Sequence, residues 1–521
     1  MSVPPPDRRR PDAEAVRVEQ TNRSGWRWIL LILLLAAVPR AIRLDAPVST
    51  WREADTAAIA RNFAQHGFRI LYPEVDWGGG TPGFVESEFP LYSFLTGLGI
   101  AALGPGDQWG RLLSLLCSLA TIYGLYLLVR KLVSEGVALW SALFYAILPM
   151  NIYYGRSVMP EAALLMCSVF GLYFFSAWLD RGRGRDFILT WLCLSLAVLL
   201  KIPTLYLGLP LLFLAWEKHG RRTFRTEKLW LLAGLILLPA ALWYYHAHQL
   251  FRESGLTFGI WGFGTDKWGN PDLLVSPEFY NRIFFKSIAE HHLTYPGFAA
   301  FVIGFCVTRR RRALRFFDWW LAAVVIYFLI VAKGNKVHSY YQLPFVLPAS
   351  VYAGCLFARF WQPRREGDRA GRLAPATALC ALCLAGVLTL SALRVADRLR
   401  RENPDSALAR LAAAVKTETR EDDLLLAVTT DNPLVLYRCE RKGWSAAPQR
   451  LEPAFLEEKR RQGADYLVGE RSAFATGAAL EHLDRLLRRF AVVRDAEGYF
   501  VLRLEDGAQP GQPGDGPRPG E

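Results

Sequence analysis

Four carboxylates, Glu53, Asp55, Glu86 and Glu88, stand in the stretch from Trp51 to Leu91, which reads WREADTAAIARNF and, further on, VESEFPLY. A carboxylate within hydrogen-bond reach of a hydroxyl can take its proton, and several together can hold hydroxyl groups or a divalent cation. A second set is cationic: Arg156, Lys201, Lys333 and Lys336, accompanied by Glu161, His291, His292, His338 and Tyr341. Such groups stabilise negative charge on a phosphate, arginine as a bidentate clamp and lysine as a point charge. The acids lack the tight spacing of metal ligands, and although His291 or His292 could complete a set, no metal or other cofactor is required; a divalent cation stays open.

Each residue also has a plainer explanation. Charged groups end helices, lysines reach along apolar surface to the membrane interface, and a lone histidine there anchors. The group is harder to dismiss, because charges beside hydrocarbon persist where they pair or line a wet cavity.

The element that must position these groups is a membrane domain. Of the 521 residues 52% are hydrophobic, yet 61 Lys and Arg face 48 Asp and Glu, which fits an α-helical polytopic membrane protein with charged loops. Apolar runs of about 15 to 22 residues recur from Trp26 to Leu393, each long enough or nearly so to cross roughly 30 Å of hydrocarbon. Backbone in lipid must satisfy its own hydrogen bonds, so these runs are expected to be helices. The net charge of +13 would suit a nucleic-acid binder, but the arginines cluster between apolar runs, where topology accounts for them.

Short cytoplasmic loops collect Lys and Arg. The basic clusters PPPDRRR, VRKLVSEG, DRGRGRD, EKHGRRTFRTEK, TRRRRALR and QPRREGDRAGR alternate with connections that lack such blocks: 46–107, PMNIYYGRSVMPE, LLKIPT, 246–292 and KGNKVHSYY. That alternation predicts about eleven crossings, with the amino end inside and the carboxyl end outside, and it places the acids and cations on one outer face. It also requires the apolar run Phe89 to Leu103 to lie on, or re-enter, the outer face. Phe187 to Leu200 and Ile202 to Trp216 are short for two spans; two crossings or one re-entrant hairpin leave later parity the same. The first run lacks a small-residue cleavage site before Arg40 and Arg43, which reads as a signal anchor.

The organisation expected is a disordered basic cytoplasmic tail over 1–24, a transmembrane domain over 25–393 with outer loops at 45–107 and 246–292, an extracytoplasmic α/β domain over 394–505, and a disordered Pro- and Gly-rich tail over 506–521. The α/β reading comes from DLLLAV, DYLVGE, RFAVVRD and YFVLRL as strands, with SALARLAAAV and ALEHLDRLLRR as helices. Seven of the eight cysteines fall in apolar runs, leaving Cys439 alone in the tail domain, so no disulfide framework is available there. The Cys380 and Cys383 pair, inside ALCALCLAG, reads as a lipid-buried helix face.

Four stretches carry a resemblance to the C-type glycosyltransferase superfamily (GT-C), in the branch of the protein O-mannosyltransferases and the aminoarabinose transferase of lipid A. READTAAIARNF resembles the family's acidic loop and following helix, DxxxxAxIAxxM; ESEFPLYSFL resembles its EKPPL segment. GRSVMPEAALL resembles its R…MPD-like turn, and KGNKVHSYYQLPFVLPASVYAG resembles K…HYllPllP before a late span. The likeness runs from about Gly25 to Ala358 and departs where Phe89 replaces the usual lysine and Glu161 the common aspartate. Ser87 or Glu88 takes the acidic position of EKPPL, depending on alignment.

The resemblance implies transfer of a sugar from a polyprenyl phosphate carrier to an acceptor hydroxyl at the outer membrane surface, with inversion at the anomeric carbon. Asp55, which matches the family acid and begins a helix, is the expected general base. Arg156, Lys201, Lys333 and Lys336 are the expected phosphate-binding cations, with His338 and Tyr341 as hydrogen-bond donors; Glu53, Glu86, Glu88, Glu161 and His291 complete the expected substrate-binding set. The expected partners are the lipid-linked donor, a lipid, glycan or protein acceptor, and the membrane, with no nucleic acid. LTFGIWGFGTDKWGNPDLL, with Asp266, is rich in Trp and Gly, apt for stacking on sugars and equally for an interfacial aromatic belt. High Arg, Ala and Leu usage with few Lys points to a bacterial inner membrane. The rival is a transporter or flippase for a lipid-linked saccharide, which should place ionisable residues near mid-membrane and show repeated halves.

Overall fold

The structure, a computed structural model, describes residues 11–259, 267–308, 310–361, 370–401, 405–429, 432–474 and 477–506. These fall into two compact units, each drawn from segments distant in sequence: one within 1–44, 108–246 and 259–400, the other within 45–107, 247–258 and 401–521.

The first unit is helical. Among the described residues six helices are long and apolar enough to cross a membrane: Gln108–Leu132, Glu161–Arg181, Glu227–Ser254, Arg312–Ile330, Ser339–Trp361 and Pro375–Arg400. About eleven crossings were expected by hydropathy and charge; several of the remaining runs fold as shorter helices. Glu135–Ile147 and Tyr295–Thr308 have 13 and 14 residues, or roughly 20 Å at 1.5 Å per residue, less than the hydrocarbon thickness. The backbone shows why. Leu148 stands before Pro149 and is held extended (φ −70°, ψ 138°), which ends the helix there. Lys201 is extended as well (φ −159°, ψ 120°) and separates Gly184–Leu200 from the 3₁₀ turn Ile202–Leu207 and the helix Gly208–His219.

Helix Ser339–Trp361 is the centre of this unit, with 89% of its apolar window buried, whereas Pro375–Arg400 buries 17% and leaves its apolar surface for lipid. The helix Pro11–Ala41 starts inside the 1–24 segment expected to lack order, where AEAVRVEQ is made largely of residues tolerant of helix, and runs on into the apolar stretch that begins at Trp26. Residues 1–10 and 507–521, the rest of the two expected tails, lie outside the described residues.

The second unit is α/β. Its helix Trp51–His66 begins at Thr50, whose hydroxyl accepts from the Glu53 N–H and donates to the Glu53 carboxylate, a local variant of the S/T-x-x-E cap. Leu91–Leu103 packs on it, with the Ser93 hydroxyl donating to the Thr56 carbonyl at 2.9 Å. The sheet holds β1 (Leu424–Val428), β2 (Gly443–Ala446), β3 (Ala464–Glu470), β4 (Phe490–Ala496) and β5 (Tyr499–Asp506) in the order β2-β1-β3-β5-β4. β1 runs parallel to β2 and β3; β5 is antiparallel to β3 and β4.

Four of these strands occupy the stretches expected, and β2, reading GWSA, was not foreseen because four residues with a leading glycine carry no alternation to read. The tail domain was expected to span 394–505. Instead, the last long helix of the first unit continues to Arg401, and the sheet shares its unit with 45–107 and 247–258.

Candidate active site

Helix Trp51–His66 carries the first acids into the interior of the second unit. Asp55 is 3% exposed, and its Oδ1 accepts the Trp77 indole N–H at 3.0 Å. Burial pushes its carboxyl up to about 7; the Arg52 guanidinium and the indole pull it down, while Asp76 and Glu88 push with the burial. The Arg52 charge is engaged by Glu88 at 2.8 Å and lies over the Phe258 ring at 5.0 Å. A carboxyl that is half ionised near neutrality is well matched to proton abstraction at ordinary pH.

The neighbouring acids have different work. Glu53 holds the helix cap with Thr50. Glu86 is fully buried and accepts the Thr257 hydroxyl, with His248 Nδ1 at 3.4 Å. Its backbone also bridges to the 256–258 segment, donating to the Leu256 carbonyl at 3.0 Å and accepting from the Phe258 N–H at 2.9 Å. Glu86 therefore fastens two chain segments.

In the first unit Glu161, Lys201 and Tyr341 come together in a small cleft, partly open to solvent, that Pro203, Tyr206, Tyr327 and Tyr340 also line. Lys201 ion-pairs with Glu161, and its ammonium sits 4.6 Å from the Tyr340 ring centroid and 4.8 Å from that of Tyr341. The extended break at Lys201 described above is what turns this side chain into the cleft. His338 stacks on Tyr340 at 5.3 Å and leans on Tyr341 at 5.4 Å.

Other expected cations are placed differently. Arg156 is fully buried and donates through Nη2 to the carbonyls of Ile42 at 2.8 Å and Arg43 at 2.7 Å, holding the turn after the helix Pro11–Ala41. Its guanidinium does for the backbone what was expected for a phosphate. Lys336 pairs with Glu278 at 3.2 Å on an exposed surface, and Lys333 lies on the short helix Ala332–Val337.

His291 is exposed, yet the desolvation it does suffer lowers its basicity; Glu290 opposes this, and Arg394, Arg398 and Arg282 reinforce it. His292 is fully buried and pushed down to about 3, so it is neutral, with Nε2–H on the Ser339 carbonyl at 2.9 Å. Asp266 and the 260–266 part of the Trp- and Gly-rich loop lie outside the described residues. Among the described residues no three His, Cys, Asp or Glu stand together as a metal-holding group.

Sequence reading missed Trp77, Arg52 and Asp76. A tryptophan and an aspartate in EVDWGGG had no periodicity to flag them, and a partner 22 residues away is invisible without the fold.

Residues 87–246 match the family model described as dolichyl-phosphate-mannose-protein mannosyltransferase. An uncharacterized protein of Aquifex aeolicus (strain VF5) is 28% identical over 266 residues, which is 48% of this chain and 56% of that one, so the match spans little more than half the relative's length. Two crystal structures of ArnT from Cupriavidus metallidurans, bound to undecaprenyl phosphate and in the apo state, superpose with TM-scores of 0.62 and 0.63. They are 14% and 15% identical; the match covers 92% and 93% of this chain and 99% and 100% of theirs. The Archaeoglobus fulgidus oligosaccharyltransferase in its apo form superposes with a TM-score of 0.55 at 12% identity, covering 89% of this chain and 73% of that one. The likeness to the C-type glycosyltransferases thus holds both in the matched family model and in the fold: a helical membrane protein with a small carboxyl-terminal sheet domain.

Proposed function

We propose that the chain is a membrane glycosyltransferase that moves a sugar from a polyprenyl phosphate carrier to an acceptor hydroxyl, at the extracytoplasmic face of a bacterial inner membrane and with inversion. The observation that carries this reading is the state of Asp55: buried, met by one indole N–H, and poised near neutrality. The overall likeness to proteins that include an undecaprenyl phosphate complex supports the choice of donor class.

In this reading the acceptor oxygen forms its bond to the anomeric carbon while its proton passes to Asp55. The bond between that carbon and the carrier phosphate oxygen breaks, and the electron pair leaves on the phosphate. Within the first unit, Lys201, paired with Glu161 and seated on Tyr340 and Tyr341, offers positive charge of the kind that stabilises a phosphate, and His338, Tyr341, Lys333 and Lys336 are proposed as further donors there. Arg156 is left out of this set, since its guanidinium holds backbone carbonyls. No step is assigned to a divalent cation.

The test is a transfer assay on the purified full chain in detergent, with radiolabelled polyprenyl phosphate sugars and lipid, glycan and protein acceptors. Asp55→Asn is expected to lower transfer by about a thousandfold while donor binding persists. Undiminished transfer by that variant would remove Asp55 as base, and donor binding without transfer to any acceptor by the unaltered protein would favour a transporter.

A further inference from the structure

Behind Asp55 lies a buried polar bridge that the transfer chemistry itself does not use. Trp77, which donates to Asp55, sits in the loop Asp76–Gly80, and that loop is tied to the sheet domain by backbone. The Gly443 N–H donates to the Asp76 carbonyl at 2.9 Å, and the Gly79 N–H donates to the Gly443 carbonyl at 2.8 Å. The approach is too close for side chains. A Cβ at Gly79, whose φ is +65°, would fall 2.3 Å from the Trp444 ring, and one at Gly443 would fall 1.8 Å from the Leu425 carbonyl oxygen.

Side chains reinforce the tie. Arg61 pairs with the buried Asp76 at 2.6 Å, donates through Nη1 to the Tyr437 carbonyl at 3.0 Å and lies 5.0 Å from the Tyr437 ring centroid. Asn62 donates to the second Asp76 oxygen at 3.2 Å. Tyr437 in turn donates to Asp107, whose other oxygen takes the Val48 N–H at 2.8 Å, two residues before the cap of the helix that carries Asp55. The indole itself packs against both the core of the first loop, with Ile59, Phe63, Val75 and Val85, and the sheet core around Leu425, Leu436 and Tyr466. One residue in contact with the base is therefore clamped from both cores.

We propose that Arg61, Asp76 and the Gly443 end of β2 are positioning residues for the base: they hold the Trp77 N–H on the Asp55 carboxylate, which makes the carboxyl-terminal sheet domain part of the apparatus that sets when Asp55 can take a proton. This rests on Asp55 being the base. A donor aimed at a carboxylate favours its ionised form, so an indole held in place keeps more of the base competent at a given pH. Burial and the nearby Asp76 and Glu88 act the other way.

The experiment is the pH dependence of kcat/KM for the full-length protein in lipid nanodiscs, in five forms: unaltered, Trp77→Phe, Arg61→Lys, the double variant Trp77→Phe/Arg61→Lys, and Asp55→Asn. Trp77→Phe keeps an aromatic ring in the two cores but loses the N–H. Its ascending limb is expected to move up by about one pH unit, so about tenfold activity is lost on the acid side and little at alkaline pH. Arg61→Lys keeps the positive charge beside Asp76 and loses the fork; it is expected to move the limb the same way by less. The double variant is expected to move no further than Trp77→Phe alone, since Arg61 acts through the indole.

Limbs that stay in place while activity falls equally at every pH would overturn the proposal and leave the bridge as a strut. Movement to lower pH would overturn it as well. If Trp77→Phe does not fold, Arg61→Lys carries the test by itself, because it removes no ring from either core. Undiminished transfer by Asp55→Asn would instead defeat the base assignment, an outcome distinct from unmoved limbs in a protein that needs Asp55.

Discussion

The two units bury carboxylates in opposite ways. Glu161, 2% exposed, has the Lys201 ammonium in contact, and the lysine is itself seated on two tyrosine rings. Asp55, 3% exposed, is met by an indole N–H, while the nearest arginine is engaged by Glu88. A carboxylate in contact with a cation forms a pair that fixes both side chains, whereas burial beside a neutral donor leaves the Asp55 carboxyl raised to about 7. The first arrangement suits a pair that orients a lysine; the second suits a group that gains and loses a proton. Burial alone does not make a base: Glu86 is buried as deeply and serves to join two segments.

Substitutions can break this contrast from its strongest side downward. Asp55→Asn is expected to lower kcat/KM by about a thousandfold, the usual scale for removing a general base, without lowering Tm, because a buried ionisable group is replaced by a neutral isostere. Equal loss of transfer and of folded protein would mean that Asp55 is structural. Lys201→Met leaves the Glu161 charge buried without its cation, which costs about 3 to 5 kcal/mol and is read as a fall in Tm. The double variant Lys201→Met/Glu161→Gln is expected to regain most of that stability and none of the donor affinity. A single variant as stable as the unaltered protein would dissolve the comparison from the Glu161 side.

The pH dependence of stability sharpens it. Asp55 is pushed up to about 7 in the folded chain, from an unfolded value near 3.8. The folded state therefore keeps a proton that the unfolded state releases, and the stabilisation this gives is complete below about pH 4 and lost as pH rises through about 7. Relative to Asp55→Asn, the unaltered protein should lose Tm between those values and then level off. His292 has the opposite sign: burial pushes it down to about 3, so the folded state refuses a proton that the unfolded state takes, and stability falls as pH drops from about 6.5 toward 3. Smaller still, Lys336→Ala should change stability by under about 0.5 kcal/mol, because its pair with Glu278 is exposed.

Much of this organisation was legible in the sequence where pattern is local. Apolar runs marked the helices of the membrane unit, and alternation and turn residues marked four strands of five. Pairing was not legible. Lys201 and Glu161 were both named as site residues, but 40 residues separate them and nothing local says that they meet. Arg156 makes the same point: an arginine beside a glycine-containing turn at the end of apolar runs has the same appearance whether it clamps a phosphate or the carbonyls of Ile42 and Arg43. What the tail sheet contacts was not legible either, because the hydrogen bonds from Gly443 to the 76–79 loop leave no trace in composition.

The claim on which the rest depends is that Asp55 must be ionised for transfer. Its most direct test is kcat/KM from about pH 5.5 to 8.5, measured with saturating acceptor on the lipid-embedded full chain. The account predicts a tenfold rise per pH unit on the acid side that bends over near 7, where Asp55 titrates. A profile flat across that range, with chemistry shown to be the slow step, would contradict it.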